Sequence, residues 1–197
     1  TALMVPSDYG SISPPFTPVA QFKPTMAMKM KNICLIAICG MMTLALPRDA
    51  TPQSVAEVGQ TPPPFSLSDE FQDLHRLEDY LGKPIILYFT HNMCHYCTQV
   101  IAFLKRAQTR YQGTDLVILT INVWADEGEL IKRYKEAYDL PFPMLAGKNP
   151  NLLRDYEVNY VPIIVFINRE GLVQRLYHHY ILETDFLKSA SAIVEGK

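Results

Sequence analysis

The stretch Ile85-Ile86-Leu87-Tyr88-Phe89-Thr90-His91-Asn92-Met93-Cys94-His95-Tyr96-Cys97 decides the reading of this chain. Its first five residues are apolar in succession, the pattern of a strand covered on both faces of a sheet. Beyond the second cysteine, from about Thr98, the residues Val100, Ile101, Leu104, Ala107 and Tyr111 recur on one helical face, and Gly113 closes the pattern. A strand that ends in Cys-x-x-Cys and runs straight into a helix is a redox arrangement. The two sulfurs lie on one helical turn, close enough to bond. The helix start offers unpaired N–H groups and a positive dipole end, which favour a thiolate.

Downstream, Leu116 to Val123 reads as a second buried strand. Asp126 with Glu129 resembles a capping box that opens a helix with Leu130, Ile131, Tyr134 and Tyr138 inward. Pro141 stops that helix, Phe142 to Leu145 is a short extended piece, and Asn149 or Asn151 starts a further turn or two. Ile163 to Ile167 is a third apolar strand. The turn Asn168 to Gly171 joins it to an alternating strand, Leu172 to His179, and Thr184 can cap a final helix. Upstream, Phe65 to Ser68 and His75 to Leu77 read as a short hairpin, and Glu78 to Leu81 as one helical turn. This order predicts an α/β fold: a mixed central sheet with helices on both faces and an N-terminal β-hairpin extension.

The front of the chain reads differently. Residues 1–25 are rich in Pro, Ser and Thr and form either a disordered leader or a non-native extension ahead of Met26, Met28 or Met30. Residues 26–46 join Lys29 and Lys31 to an apolar run from Ile33 to Leu46, the build of a signal peptide or N-terminal anchor. Cleavage after Ala45 and lipid attachment at Cys39 are the two processing routes weighed, and anchoring in a membrane through this segment is a third outcome. Each places the domain outside the cytoplasm, periplasmic or secreted. Residues 47–64, with Pro47, Pro52 and Pro62-Pro63-Pro64, read as a Pro-rich linker, which leaves 65–197 as the folded domain.

Across 197 residues the net charge is -2, and no basic stripe with interleaved aromatics appears, so nucleic acid is not an expected partner. Four cysteines form two unlike pairs. Cys34 and Cys39 lie in the apolar leader, so the domain keeps only Cys94 and Cys97, too few for a disulfide-stapled scaffold.

On four local features the chain resembles the thioredoxin superfamily, and within it the extracytoplasmic TlpA/ResA-like thiol–disulfide oxidoreductases. These are Pro63-Pro64-Phe65-Ser66-Leu67, the Gly82-Lys83-Pro84 approach to the apolar strand, Cys94-His95-Tyr96-Cys97, and Asn159-Tyr160-Val161-Pro162 followed by a strand and Asn168-Arg169-Glu170-Gly171. The resemblance implies a thioredoxin-like fold over about residues 62–195. It implies Cys94 as nucleophilic thiolate, Cys97 as resolving thiol, and a cis Pro162 beside the disulfide with the Val161 backbone open to a substrate strand. It also implies protein thiol or disulfide substrates, a redox partner protein, and no cofactor besides the Cys94–Cys97 disulfide. The chain departs from the pattern at Met93, where a Trp is common, and at Tyr88, where thioredoxins carry a buried acid. It also lacks any acidic residue from Thr98 to Thr114.

The chemistry is thiolate attack on a disulfide, then resolution by the second thiol. A positive His95 would stabilise the thiolate and make the couple more oxidising. His91 is a second candidate modulator, and Tyr96 is expected to be exposed and to contact substrate. Two other classes compete. Cys94 and Cys97 with His91 or His95 could hold a soft ion such as Cu(I), as in a copper-binding or metallochaperone protein. Alternatively, the domain is a noncatalytic module with an inert disulfide. A peroxidase reading is weaker, because Thr90 stands one residue too far before Cys94. Trp124 and the tyrosines are expected in the core or lining a groove.

Overall fold

The computed structural model describes residues 55–126 and 128–196. The readings of residues 1–25 and 26–46, and of the linker up to residue 54, lie outside them. No helix among the described residues is long and apolar enough to cross a membrane.

The central sheet has five strands: β3 (Ile85–Thr90), β4 (Val117–Asn122), β5 (Met144–Ala146), β6 (Ile163–Ile167) and β7 (Val173–Tyr177), in spatial order β5-β4-β3-β6-β7. β3 runs parallel to β4, and β4 parallel to β5, whereas β6 is antiparallel to β3 and β7 to β6. Every residue of β3 is buried, because the strand sits in the middle and both its faces are covered. Ile86 and Tyr88 point to one face, against α1 (His95–Arg110), α2 (Gly128–Tyr138) and α4 (Glu183–Glu195). Ile85, Leu87 and Phe89 point to the other, where only the short α3 (Pro150–Asp155), the hairpin and the N-terminal segment cover them.

The hairpin pairs β1 (Ser66–Ser68) with β2 (Leu74–Arg76), and a 3-10 turn, Leu77–Tyr80, follows. Asp69 braces the loop between them, accepting the N–H of Phe71 and of Asp73 and contacting His75 Nε2 at 3.2 Å. His75 Nδ1 meets the Tyr80 hydroxyl at 2.5 Å.

Several local expectations are corrected. Residues 55–64 are no free spacer: Ala56 is buried and donates to Asp155 O, Gly59 and Gln60 exchange hydrogen bonds with Val173, and Tyr156 Oη donates to Pro63 O at 2.6 Å. With α3 and the hairpin they cover the face of the sheet that carries Ile85, Leu87 and Phe89. Leu130 is exposed rather than inward, since only Ile131 and Tyr134 of α2 are buried. The carboxylates of Asp126 and Glu129 engage Lys148 and Arg133. α4 starts after Leu182 with no side-chain cap, so Thr184 lies inside its first turn. α1 begins at His95, earlier than the apolar spacing suggests, because the redox motif itself forms the first turn.

Candidate active site

β3 delivers the chain to the end of the sheet, the loop 91–94 crosses it, and α1 starts at His95. Cys94 is therefore the N-cap of α1, with extended backbone (φ -93°, ψ 104°), and the Cys97 N–H donates to its sulfur at 3.2 Å. A sulfur in that place receives an orphan donor of the helix and the positive end of its dipole, both of which favour a thiolate. Cys94 and Cys97 are joined as a disulfide, with Cα atoms 5.2 Å apart. Cys94 is partly exposed, whereas Cys97 is fully buried under the first turn. An incoming thiolate can reach the first sulfur and is barred from the second.

The Val161–Pro162 peptide bond is cis, and the Val161 carbonyl oxygen lies 3.7 Å from Cys94 Sγ. Next to it, Tyr160 is 67% exposed, and Met93 and Tyr96 are 78% and 57% exposed. Tyr96 leans on Tyr180, ring centroids 5.5 Å apart, and meets His95 edge-on. The sulfur is thus rimmed by apolar and aromatic side chains that face solvent. His95 is exposed at the first position of α1.

His91 stands elsewhere. Its ring lies flat on Trp124, 3.8 Å between centroids and 1° between planes, and its Nδ1 accepts the Met93 N–H at 3.0 Å. Burial pushes its pKa below the ordinary histidine value. This candidate modulator is therefore a neutral ring near pH 7. Trp124 is half-exposed and belongs to the site rather than the core.

Beneath the disulfide, the position of the absent acid is filled by a fully buried tyrosine. Tyr88 Oη donates to the Cys97 carbonyl oxygen at 2.9 Å, and burial lifts its pKa well above the usual phenol value. Thr90 Oγ1 shares a 2.9 Å hydrogen bond with Tyr134 Oη, whose pKa burial raises to about 12. The floor of the site is thus a set of neutral hydroxyls. Thr90 is buried and its hydroxyl is engaged by Tyr134.

Asn92, Asn122 and Tyr180 were not singled out from sequence, and Tyr134 was read only as an inward residue of its helix. Asn122 carried a signal, as an amide at the end of an apolar strand. Among the described residues no group of three or more His, Cys, Asp or Glu side chains is placed to hold a metal ion. His178 faces Glu157 at 3.8 Å and His179 meets the Tyr177 ring, so these two neighbours point to different partners.

The model of the AhpC/TSA family matches residues 58–176. The thiol–disulfide oxidoreductase ResA of Geobacillus thermodenitrificans is 28% identical over 144 residues, covering 73% of this chain and 82% of that protein. Among solved structures, a putative protein disulfide isomerase from Bacteroides thetaiotaomicron superposes with a TM-score of 0.64 at 17% identity, covering 72% of this chain and 92% of that one. A secreted Mycobacterium tuberculosis disulfide oxidoreductase gives a TM-score of 0.57 at 18% identity, over 65% and 95% of the two chains. At such identities the structures speak for the fold, which is thioredoxin-like.

Proposed function

The chain belongs to the AhpC/TSA family of thioredoxin-like proteins, and from that premise we propose that it is a thiol–disulfide oxidoreductase acting on protein thiols and disulfides. The observation that carries this reading is the unequal exposure of a bonded Cys94–Cys97 pair at a helix start. The names of its relatives point the same way.

Starting from the disulfide, a substrate thiolate attacks Cys94 Sγ. A substrate–Cys94 bond forms, the Cys94–Cys97 bond breaks, and Cys97 leaves as a thiolate that takes a proton. A second substrate thiol, deprotonated, then attacks the substrate sulfur of that mixed disulfide. The substrate closes its own disulfide, Cys94 leaves as a thiolate, and two electrons have passed to the protein. Run backwards, Cys94 attacks a substrate disulfide and Cys97 resolves it. The exposed rim of Met93, Tyr96 and Tyr160 gives an uncharged, apolar approach, suited to an unfolded or extended polypeptide. Val161 and Pro162 are the backbone against which it lies, and a second redox protein resets the pair.

The site of action is outside the cytoplasm, periplasmic or secreted, with anchoring through the apolar Ile33–Leu46 segment as a variant. Lys29, Lys31 and that run support this, as do relatives described as secreted or as an exposed lipoprotein. His95 at the helix start favours the thiolate, so the couple is expected to be more oxidising than about -270 mV, the value typical of thioredoxin. Trapping with Cys97→Ala in the native compartment tests the assignment. Mixed disulfides through Cys94 are expected, and a variant that captures no protein thiol would refute it.

A further inference from the structure

Three links tie the loop before Cys94 to the turn after β4. The Val123 N–H donates to Thr90 O at 2.9 Å. Asn122, a fully buried amide, donates through Nδ2 to Asn92 Oδ1 at 2.7 Å and accepts the Trp124 N–H through Oδ1 at 3.1 Å. Trp124 then lies flat on His91. On the loop side, His91 Nδ1 accepts the Met93 N–H, and its carbonyl accepts the Cys94 N–H at 3.3 Å. His91 thus holds two consecutive backbone donors, those of Met93 and of the nucleophile, while a ring from the turn after β4 clamps it.

We propose that His91 is a positioning residue for Cys94: clamped beneath Trp124, its Nδ1 holds the Met93 N–H and thereby seats the nucleophilic sulfur at the start of α1. Its importance for turnover rests on the oxidoreductase reading, but the geometry is testable without it. The Nδ1 bond requires the neutral ring with its proton on Nε2. Protonation would set a second donor against the Met93 N–H and release the loop. The sulfur would then drift from the Cys97 N–H, and its thiolate would lose that stabilisation.

The titratable groups on the surrounding elements are few. Tyr88 on β3 and Tyr134 on α2 are held neutral by burial. His95 and Tyr96 stand on α1, Tyr160 on the Val161–Pro162 loop, and Asp126 beyond Trp124 is held ionised by Lys148. Only His91 lies against the indole ring among the histidines described.

Trp124 is the only tryptophan of the chain, so its fluorescence reports on the clamp directly. A protonated imidazole in contact with an indole quenches it. In the full-length protein the emission is expected to fall on acidification with a midpoint below about 6.5. That titration should vanish in His91→Phe, which keeps a flat ring but has no Nδ1, and in His91→Asn. In the reduced protein, the pH midpoint for alkylation of Cys94 by iodoacetamide should rise by about half a unit in His91→Phe. It should stay near wild type in His91→Asn, whose Oδ1 can take the place of Nδ1. A fluorescence midpoint at or above 6.5, a quench that persists in His91→Phe, or equal alkylation shifts in both variants would overturn the proposal. Should His91→Phe fail to fold, the wild-type midpoint and His91→Asn decide alone. Failure of the oxidoreductase reading would show instead as absent mixed disulfides with these signatures intact.

Discussion

Tyr88→Phe probes what the buried hydroxyl does where related folds place an acid. Tyr88 lies in the middle of β3 with no exposed surface, and its hydroxyl donates to the Cys97 carbonyl, 2.9 Å away. Helix geometry gives that carbonyl a second donor, the N–H four residues on. Removing the hydroxyl therefore does not orphan the acceptor, and the loss is the net worth of one hydrogen bond, about 1 kcal/mol. Removing the ring as well, in Tyr88→Ala, opens a cavity between β3 and α1 and should cost about 4 kcal/mol. Urea unfolding of the oxidised protein measures both. With a slope of about 2 kcal/mol/M, the Phe variant should shift the midpoint by about 0.5 M and the Ala variant by about 2 M. A Phe variant as damaging as the Ala variant would refute the reasoning. It would show that the hydroxyl supports a network rather than one carbonyl. A Phe variant with no shift at all would show that the bond contributes nothing.

Other outcomes follow from the same geometry. On reduction, one equivalent of iodoacetamide should label Cys94 in large excess over the fully buried Cys97, as peptide mapping would show. Gly147→Ala should destabilise by about 2 kcal/mol in thermal or urea unfolding, because a Cβ there would fall 2.3 Å from Ile121 Cγ2 and 3.1 Å from the Asn122 carbonyl. Desolvation raises the Asp69 carboxyl, but hydrogen bonds from Phe71, His75 and Asp73 outweigh it and hold the pKa below the ordinary value. A depressed folded pKa stabilises above the unfolded value near 3.9 and is lost as pH falls through the folded one. Asp69→Asn should therefore remove stability at pH 6 and flatten the acid limb of an unfolding profile below about pH 4, while leaving Cys94 alkylation unchanged. Tyr156→Phe should expose residues 55–64 to proteolysis, since its hydroxyl holds the Pro63 carbonyl.

The thioredoxin-like order of strands and helices was legible because its evidence is local and periodic. Continuous apolar runs mark β3, β4 and β6, one apolar face marks α1, and Cys94-His95-Tyr96-Cys97 with Val161-Pro162 marks the reactive end. Those features also pointed to dithiol–disulfide exchange, while two cysteines on one turn left soft-metal binding and an inert disulfide as competing readings. What tertiary structure decided was where side chains meet across segments distant in sequence. His91 read as a second candidate modulator of Cys94, and only the turn after β4, which lays Trp124 over it, makes it a half-buried neutral acceptor. Tyr88 looked like a missing acid, and only the packing of α1 on β3 turns it into a donor to Cys97. Leu130 and residues 55–64 were misjudged for the same reason: periodicity and proline content describe one segment, whereas burial depends on what the rest of the chain lays against it.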